Sequence, residues 1–192
     1  MKRNLLKTTL AWLFLTMLVP LTASAEDILI NETNFPDENF RNYLLGEDYG
    51  QDGKITDEEI KGITGINVSL HFNISSLKGI EYFTELTMLL CNYNKLTSLD
   101  VSQNKALQVL NCSYNQLTSL DVSGCRELTT LYCEFNLLGG ARMDAFIESL
   151  PVNMSGEEHR LQICNSDYTP SSFSTVENVC TRSQVAAIKA KG

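Results

Sequence analysis

The feature that most constrains this chain is a repeat of 21 residues. Units that begin at Leu86, Leu107 and Leu128 share the pattern L-x-x-L-x-C-x-x-N-x-L. Alternating apolar residues within a unit, such as Leu89 and Cys91, point to the same face of a short strand. One such strand cannot bury its apolar face alone. The copies are therefore expected to stack into a solenoid with a continuous core.

The repeat also arranges side chains in columns that run along the stack. Cysteine recurs as a small core residue and asparagine as a turn residue whose amide can bond loop backbone, which gives the predicted ladder Cys91, Cys112, Cys133, Asn94, Asn115 and Asn136. The outward-pointing residues form a candidate binding surface of Met88, Leu90, Tyr93, Asn111, Tyr114, Tyr132 and Phe135. Aromatic side chains favour this interpretation because they are enriched in binding hot spots. The alternative is that the rings pack along one another and shield the asparagine turns.

The repeats resemble a known group of proteins. The stretch LTSLDVSQNKALQVLNCSYNQLTSLDVSGC is similar to secreted bacterial leucine-rich repeat proteins of the irregular 21-residue class. The segments INETNFPDENFRNYLL and SSLKGIEYFTEL resemble the cap that opens such arrays. This resemblance implies a leucine-rich repeat solenoid that is β-rich, with short helical caps at both ends. It also implies a non-enzymatic interaction module on or outside the cell.

The sequence outside the repeats divides into a leader and two caps. Lys2 and Arg3, an apolar run and a closing Ala-Ser-Ala are typical of a secretory signal peptide. The apolar run is shorter than the about 20 residues of a membrane-spanning helix. Apolar residues at helical spacing predict cap helices over 36–45 and 141–150. The predicted organisation is a signal peptide over 1–25, an N-terminal helical cap over 26–62, repeats over 63–138, and a C-terminal cap over 139–192 that includes a strand over 160–164 and a last helix over 183–189.

One segment of the N-terminal cap nearly fits a calcium loop of the EF-hand type. Its candidate ligands, with Lys54 acting through its backbone carbonyl, are Asp48, Asp52, Lys54, Thr56 and Glu59. Gly50 stands at the third position of the loop, so one ligand is missing. The same residues suit a glycine-rich turn followed by a helix that Thr56 caps, with Glu59 closing the capping box. Apart from this calcium interpretation, the sequence suggests no cofactor.

The remaining reactive residues do not indicate a catalytic site. Cys164 and Cys180 flank a C-terminal loop and are a candidate disulfide in an oxidising compartment, whereas no role follows for Cys125. No C-x-x-C pair, nucleophile elbow or phosphate loop is present. Asp100 and Asp121 form a like-charge column on the second face, which could bind a cation, although hydrated surface side chains are the commoner case. The sequence therefore predicts a protein without catalysis.

The net charge and the length of the apolar segments narrow the classes of expected partner. Lys and Arg number 15 against 23 Asp and Glu, and the net charge of −8 disfavours nucleic acid because phosphate affinity comes mainly from basic residues. After signal cleavage no segment is long and apolar enough to span a membrane. We expect a secreted or surface-exposed module, extracellular or periplasmic, that recognises a protein or a glycan. The alternative is a structural spacer or accessory domain of a longer secreted protein whose functional site lies elsewhere.

Overall fold

The computed structural model describes residues 27–70, 73–151, 160–163 and 187. The predicted signal peptide, Cys164, Cys180 and all but one residue of the predicted last helix lie outside these ranges. No helix within them is long and apolar enough to cross a membrane. The helices are α1 (Glu38–Gly46), α2 (Asp57–Gly62) and α3 (Ala141–Ser149), and the strands are β1 (Ile28–Leu29), β2 (Lys54–Ile55), β3 (Gly65–Asn67), β4 (Met88–Leu90), β5 (Val109–Asn111), β6 (Thr130–Tyr132) and β7 (Arg160–Gln162).

The repeats stack through a five-stranded parallel sheet in the order β3-β4-β5-β6-β7. The central residue of each strand lies directly opposite its equivalent in the next strand, so that Ile66, Leu89, Leu110 and Leu131 form one continuous column. All four side chains are fully buried. The predicted leucine-rich solenoid is confirmed. The step from β3 to β4 spans 23 residues rather than 21, which explains why the first unit looks irregular in the sequence.

The side of each repeat opposite the parallel sheet has a different backbone structure. In the described repeats it carries no strand, only a 3-10 helix at Ile80–Tyr82 and turns. Single backbone bonds join neighbouring rungs there, with Lys95 N donating to Ile74 O at 2.8 Å and Gln116 N to Leu96 O at 2.9 Å. This side therefore follows the sheet side in register without forming a second sheet.

The N-terminal cap closes the first rung with α1, α2 and a short antiparallel pair of β1 and β2. Asp37 caps α1, which begins two residues later than the predicted range. The ring of Phe35 is fully buried and packs edge-on against Tyr82, with 5.7 Å between ring centroids. Gly79 makes this contact possible, because a Cβ there would lie 2.2 Å from Cδ1 of Phe35. The ring of Phe35 thus packs the cap against the first repeat.

The C-terminal side is covered by α3 and extended by β7. The buried face of α3 consists of Met143, Phe146 and Ile147, and the helix ends just before Pro151. Leu161 of β7 lies opposite Leu131 of β6, so the sheet continues one strand past the last regular repeat. β7 occupies the first part of the strand expected over 160–164.

Candidate recognition surface

The asparagine column holds the turns on the inner edge of the stack. The Nδ2 of Asn115 donates to the carbonyl oxygens of Cys91 at 3.0 Å and Cys112 at 3.1 Å, and its Oδ1 accepts from Leu96 N at 3.0 Å. Asn136 repeats this pattern one rung later. Each buried amide therefore satisfies backbone groups of two rungs at once.

The cysteine column is part of the same core. Cys91, Cys112 and Cys133 are each 0 % exposed. Burial raises the pKa of the Cys112 thiol to about 12, and the nearby carboxyl of Glu134 adds to this rise. The pKa values of Cys91 and Cys133 are also raised well above the ordinary value, again mainly by burial. These thiols are held protonated at neutral pH and act as small apolar side chains.

Directly before each ladder asparagine an aromatic residue projects to the outside. The rings of Tyr93 and Tyr114 are stacked with 4.2 Å between centroids and 10° between planes. Tyr114 and Phe135 are stacked in the same way at 4.2 Å and 16°. Tyr93 is 49 % exposed and Tyr114 is 36 % exposed. We call these three residues the aromatic column. Its rings pack along one another, as the alternative interpretation expected, and they also remain at the surface.

The backbone of the aromatic column is strained. Tyr93, Tyr114 and Phe135 have φ values of 57°, 53° and 54°, in the left-handed region that bulky residues rarely adopt. Leu70 has the same conformation at φ 54° and occupies the equivalent place on the first rung. Such a conformation costs on the order of 1–3 kcal/mol per residue. Glycine or asparagine would adopt it with less strain, so the large side chains at this position call for another explanation.

The outward face of the sheet lies beside the aromatic column. Met88 is 39 % exposed, and Leu90, Asn111 and Tyr132 are half-buried. The Oδ1 of Asn111 accepts from Ser113 N at 3.2 Å and from Ser113 Oγ at 2.7 Å, so this side chain shapes the turn that leads to Tyr114. The seven residues of the predicted binding surface therefore lie together on the outside of three neighbouring rungs.

The acidic loop of the N-terminal cap forms a capped turn. Glu59 Oε2 accepts from Thr56 N at 2.8 Å, while Thr56 Oγ1 accepts from Glu59 N at 3.3 Å, which completes the capping box. The carboxylate of Asp52 accepts from Lys54 N at 3.1 Å, and that of Asp48 accepts from Gln51.

This arrangement differs from a calcium loop. The ammonium group of Lys54 pairs with Asp27, so a cation of the chain itself already lies beside the loop. Among the described residues no three His, Cys, Asp or Glu side chains lie close enough to hold a metal ion. The structure shows the capped turn, and the calcium interpretation of Asp48, Asp52, Lys54, Thr56 and Glu59 stays a prediction.

The second face carries a groove of about 390 Å³. Its floor includes Asp100 and Asp121, and each carboxylate accepts from the backbone N–H two residues later, at 2.9 Å in Asp100 and 2.8 Å in Asp121. Hydrogen bonds from the backbone N–H and hydroxyl of Ser102 lower the pKa of Asp100, and those from the hydroxyl and backbone N–H of Ser123 lower the pKa of Asp121. The two aspartates thus shape turns, and they provide a matched surface opposite the aromatic column.

Leu70 and Glu134 gave no signal in the sequence, and the hydrogen-bond partners of Asn104 could not be read from it. Leu70 continues the aromatic column, but the 23-residue step hides it from a 21-residue alignment. Glu134 is 8 % exposed, its Oε2 has no hydrogen-bond partner, and burial raises its pKa. Asn104 donates to Ile80 O and Phe83 O, both at 2.9 Å. Cys125 takes the place of this asparagine one rung later, and its Sγ donates to Val101 O at 3.7 Å.

Comparison with known proteins agrees with this architecture. The family model "Leucine Rich repeats (2 copies)" matches residues 105–141. Internalin J of Listeria monocytogenes serotype 4b (strain F2365) is 38 % identical over 71 residues, which are 36 % of this chain and 8 % of that protein.

Two solved structures share the fold. The functional domain of InlJ from Listeria monocytogenes, described as including a cysteine ladder, aligns with TM-score 0.53 and 32 % identity over 61 % of this chain and 26 % of that one. The internalin InlF of strain F2365 aligns with TM-score 0.57 and 20 % identity over 88 % of this chain and 45 % of that one. This chain therefore spans less than half the length of each of these relatives.

Proposed function

Because the chain is a leucine-rich repeat protein, we propose that it acts as a non-enzymatic recognition module outside the cytoplasm, secreted or on the cell surface. The location rests on the signal-peptide pattern of residues 1–25. The absence of catalysis is proposed from the lack of a catalytic motif in the sequence. The similarity to internalins favours interaction as the role of such repeats.

The observation that carries the proposal is the aromatic column. Tyr93, Tyr114 and Phe135 are large, partly exposed and held in a strained backbone conformation. Stacking of neighbouring rings offsets part of that strain, because each aromatic pair contributes about 0.5–1.5 kcal/mol. Burial is incomplete for Tyr93 and Tyr114, which leave 49 % and 36 % of their surface exposed. A contact with a partner is the function that would retain such side chains at this position.

The stacking geometry bears on the type of partner. The ring of Tyr114 lies between those of Tyr93 and Phe135, with 4.2 Å between ring centroids on each side. The column therefore presents ring edges and hydroxyl groups, whereas sugar rings bind best to open aromatic faces. Ring edges carry a partial positive charge, which suits carbonyl oxygens and aromatic faces of a polypeptide. A peptide or protein partner is favoured over a glycan.

Matched double variants test this proposal. The first is Tyr93→Asn/Tyr114→Asn, which removes two rings while asparagine tolerates the left-handed backbone. The second is Asp100→Asn/Asp121→Asn on the opposite face, where asparagine can keep the turn hydrogen bonds. The mature chain and both variants are immobilised, incubated with host and bacterial surface extracts and with a glycan array, and compared for bound species. We expect the tyrosine variant to lose a protein ligand that the aspartate variant retains.

The other outcomes are equally informative. Loss of a glycan rather than a protein would keep the surface and change the ligand class. If both variants bind like the wild type, or if the wild type captures nothing specific, the chain is better explained as a spacer or accessory domain. Melting temperatures of all three proteins are measured in parallel, so that a folding defect is not counted as a binding defect.

A further inference from the structure

The thiols of the cysteine column occupy the same place on neighbouring rungs. Leu90 lies opposite Asn111, so the next residues, Cys91 and Cys112, lie opposite each other one rung apart. The backbone ladder continues through both, with Cys91 N donating to Asn111 O and Cys112 N to Tyr132 O, each at 2.8 Å. Adjacent strands are about 4.8 Å apart, and in-register side chains point the same way. Two buried sulfur atoms therefore face each other across roughly one strand spacing.

This geometry disfavours a disulfide and suits a bridging ion. A disulfide requires Cβ atoms about 3.8 Å apart and side chains that turn toward each other. Parallel side chains at strand spacing do not meet that requirement, and Cys91 and Cys112 form no disulfide. A metal–sulfur bond is about 2.3 Å long for zinc, so two opposed bonds of similar length span about 4.6 Å. That span matches the spacing of adjacent rungs.

We propose that neighbouring thiols of the cysteine column form a linear, two-coordinate site for a soft monovalent cation of the Cu(I) type. Soft thiolate ligands select such ions, and a linear geometry needs only two donors. Cys112 is shared by two pairs, Cys91–Cys112 and Cys112–Cys133, and its sulfur would need two directly opposed metal bonds to serve both pairs at once. Such bonds are disfavoured for a bridging sulfur, so we expect one ion in the column. Tetrahedral zinc is excluded at this site, since the described residues supply no larger cluster of ligands there.

The burial of the site also determines how many protons the two thiols release when an ion binds. The site is fully buried, so a complex without net charge is strongly favoured there. A neutral complex forms when the monovalent ion replaces one thiol proton, leaving one thiolate and one thiol as its two ligands. One proton is then released to solvent for each ion bound. Binding should tighten about tenfold for each unit of rising pH while both thiols start out protonated.

Ag(I) serves as the probe, because it is soft, monovalent and free of redox chemistry under assay conditions. The protein is the mature chain carrying Cys164→Ser/Cys180→Ser, so that the thiols left are the cysteine column and Cys125. Native mass spectrometry gives the stoichiometry after long equilibration, and thermal unfolding gives the effect on stability. We expect one tightly bound ion and a rise in melting temperature, because a ligand that binds the folded state stabilises it.

Single variants locate the ion. Cys112→Ser removes both pairs and should abolish binding, whereas Cys91→Ser and Cys133→Ser each leave one pair and should retain one ion. Cys125→Ser is the matched control, because Cys125 is also buried but lies outside the column, and it should bind like the parent. Circular dichroism confirms that each variant folds.

The proposal is overturned by any of three results. The first is a parent protein that binds no Ag(I). The second is a folded Cys112→Ser variant that still binds one ion. The third is a melting temperature that falls on addition of Ag(I), since that would mean capture by thiols of the unfolded chain.

Discussion

The N-terminal cap and the repeats are held together in different ways. In the repeats each contact recurs, so that Asn115 and Asn136 make the same three kinds of hydrogen bond one rung apart. In the cap the decisive contact occurs once. Asp37 Oδ1 accepts from the first turn of α1, and its Oδ2 accepts from Ser75 N and Oγ, at 2.8 and 2.7 Å, and from Ser76 N. One carboxylate joins the cap helix to the solenoid.

This difference affects how much stability each region should lose when a buried side chain is truncated. A rung is fixed from both sides by neighbours at constant spacing, so it cannot move to fill a gap. The cap lies at one end of the stack and is joined to it by Asp37, by Tyr43 Oη, which accepts from Asn67 N at 3.4 Å, and by the packing of Phe35 against Gly79. We therefore expect its small helices to adjust more easily than a rung does. Defects should therefore cost more in the stack than in the cap when the lost side chain is of similar size.

The largest expected effect is from a cavity in the stack. Leu110→Ala removes a fully buried side chain between Leu89 and Leu131 and should lower the free energy of unfolding by about 2–5 kcal/mol. Ile60→Ala in α2 should cost less, because Ile60 is 9 % exposed and its short helix can settle inward. Denaturant titration of both variants measures the difference. Equal costs would mean that the cap is as rigidly packed as the repeats.

The second effect concerns the asparagine column. Asn115→Ala leaves Leu96 N–H without its buried acceptor, and should cost about 1–3 kcal/mol. It also removes one of the two amide donors to each of the carbonyls of Cys91 and Cys112, which keep Asn94 and Asn136 respectively. Asn94→Ala should cost less, because Asn94 is only half-buried and water can reach part of its site. Urea midpoints of the two variants test this order. The reverse order would show that the rung of Asn94 depends on its amide more than the rung of Asn115 does.

The third effect is acid sensitivity of the cap. The pKa of Asp37 is lowered: burial alone would raise it, but hydrogen bonds from Ser75, Phe40 and Ser76 outweigh that effect. A lowered folded-state pKa gives stability that is present above the unfolded value, near 3.8, and is lost as the pH falls through the folded value. Asp37→Asn should cost about 0.5–2 kcal/mol at neutral pH and less in acid.

Unfolding of wild type and Asp37→Asn is followed at neutral pH and at about pH 3. The difference in unfolding free energy between the two proteins should shrink in acid, because protonation removes the carboxylate charge that the variant already lacks. A constant gap across this range would mean that Asp37 acts through packing rather than through its charge.

The same contrast explains what could be foreseen from the sequence. The columns of Leu110, Cys112 and Asn115 recur every 21 residues, so their burial and their alignment follow from spacing alone. The bond between Asp37 and Ser75 joins residues 38 positions apart and has no second copy to reveal it. The stacking of Tyr93 on Tyr114 was an open alternative, because spacing places rings in one column without fixing their tilt. Local sequence also could not separate a capped turn from a calcium loop, since Thr56 and Glu59 suit both.

The smallest effect separates these two interpretations of the acidic loop. Glutamine can replace glutamate in a capping box, because its side-chain oxygen also accepts the N-cap N–H. If Glu59 only closes the box with Thr56, Glu59→Gln should melt at the wild-type temperature, and millimolar calcium should change neither curve. A bound calcium ion would instead raise the wild-type melting temperature, and Glu59→Gln would remove that rise because a bidentate carboxylate ligand is lost. The ion pair of Lys54 with Asp27 beside the loop favours the first result. A calcium-dependent shift confined to the wild type would show that the cap, unlike the stack, changes its contacts when it binds an ion.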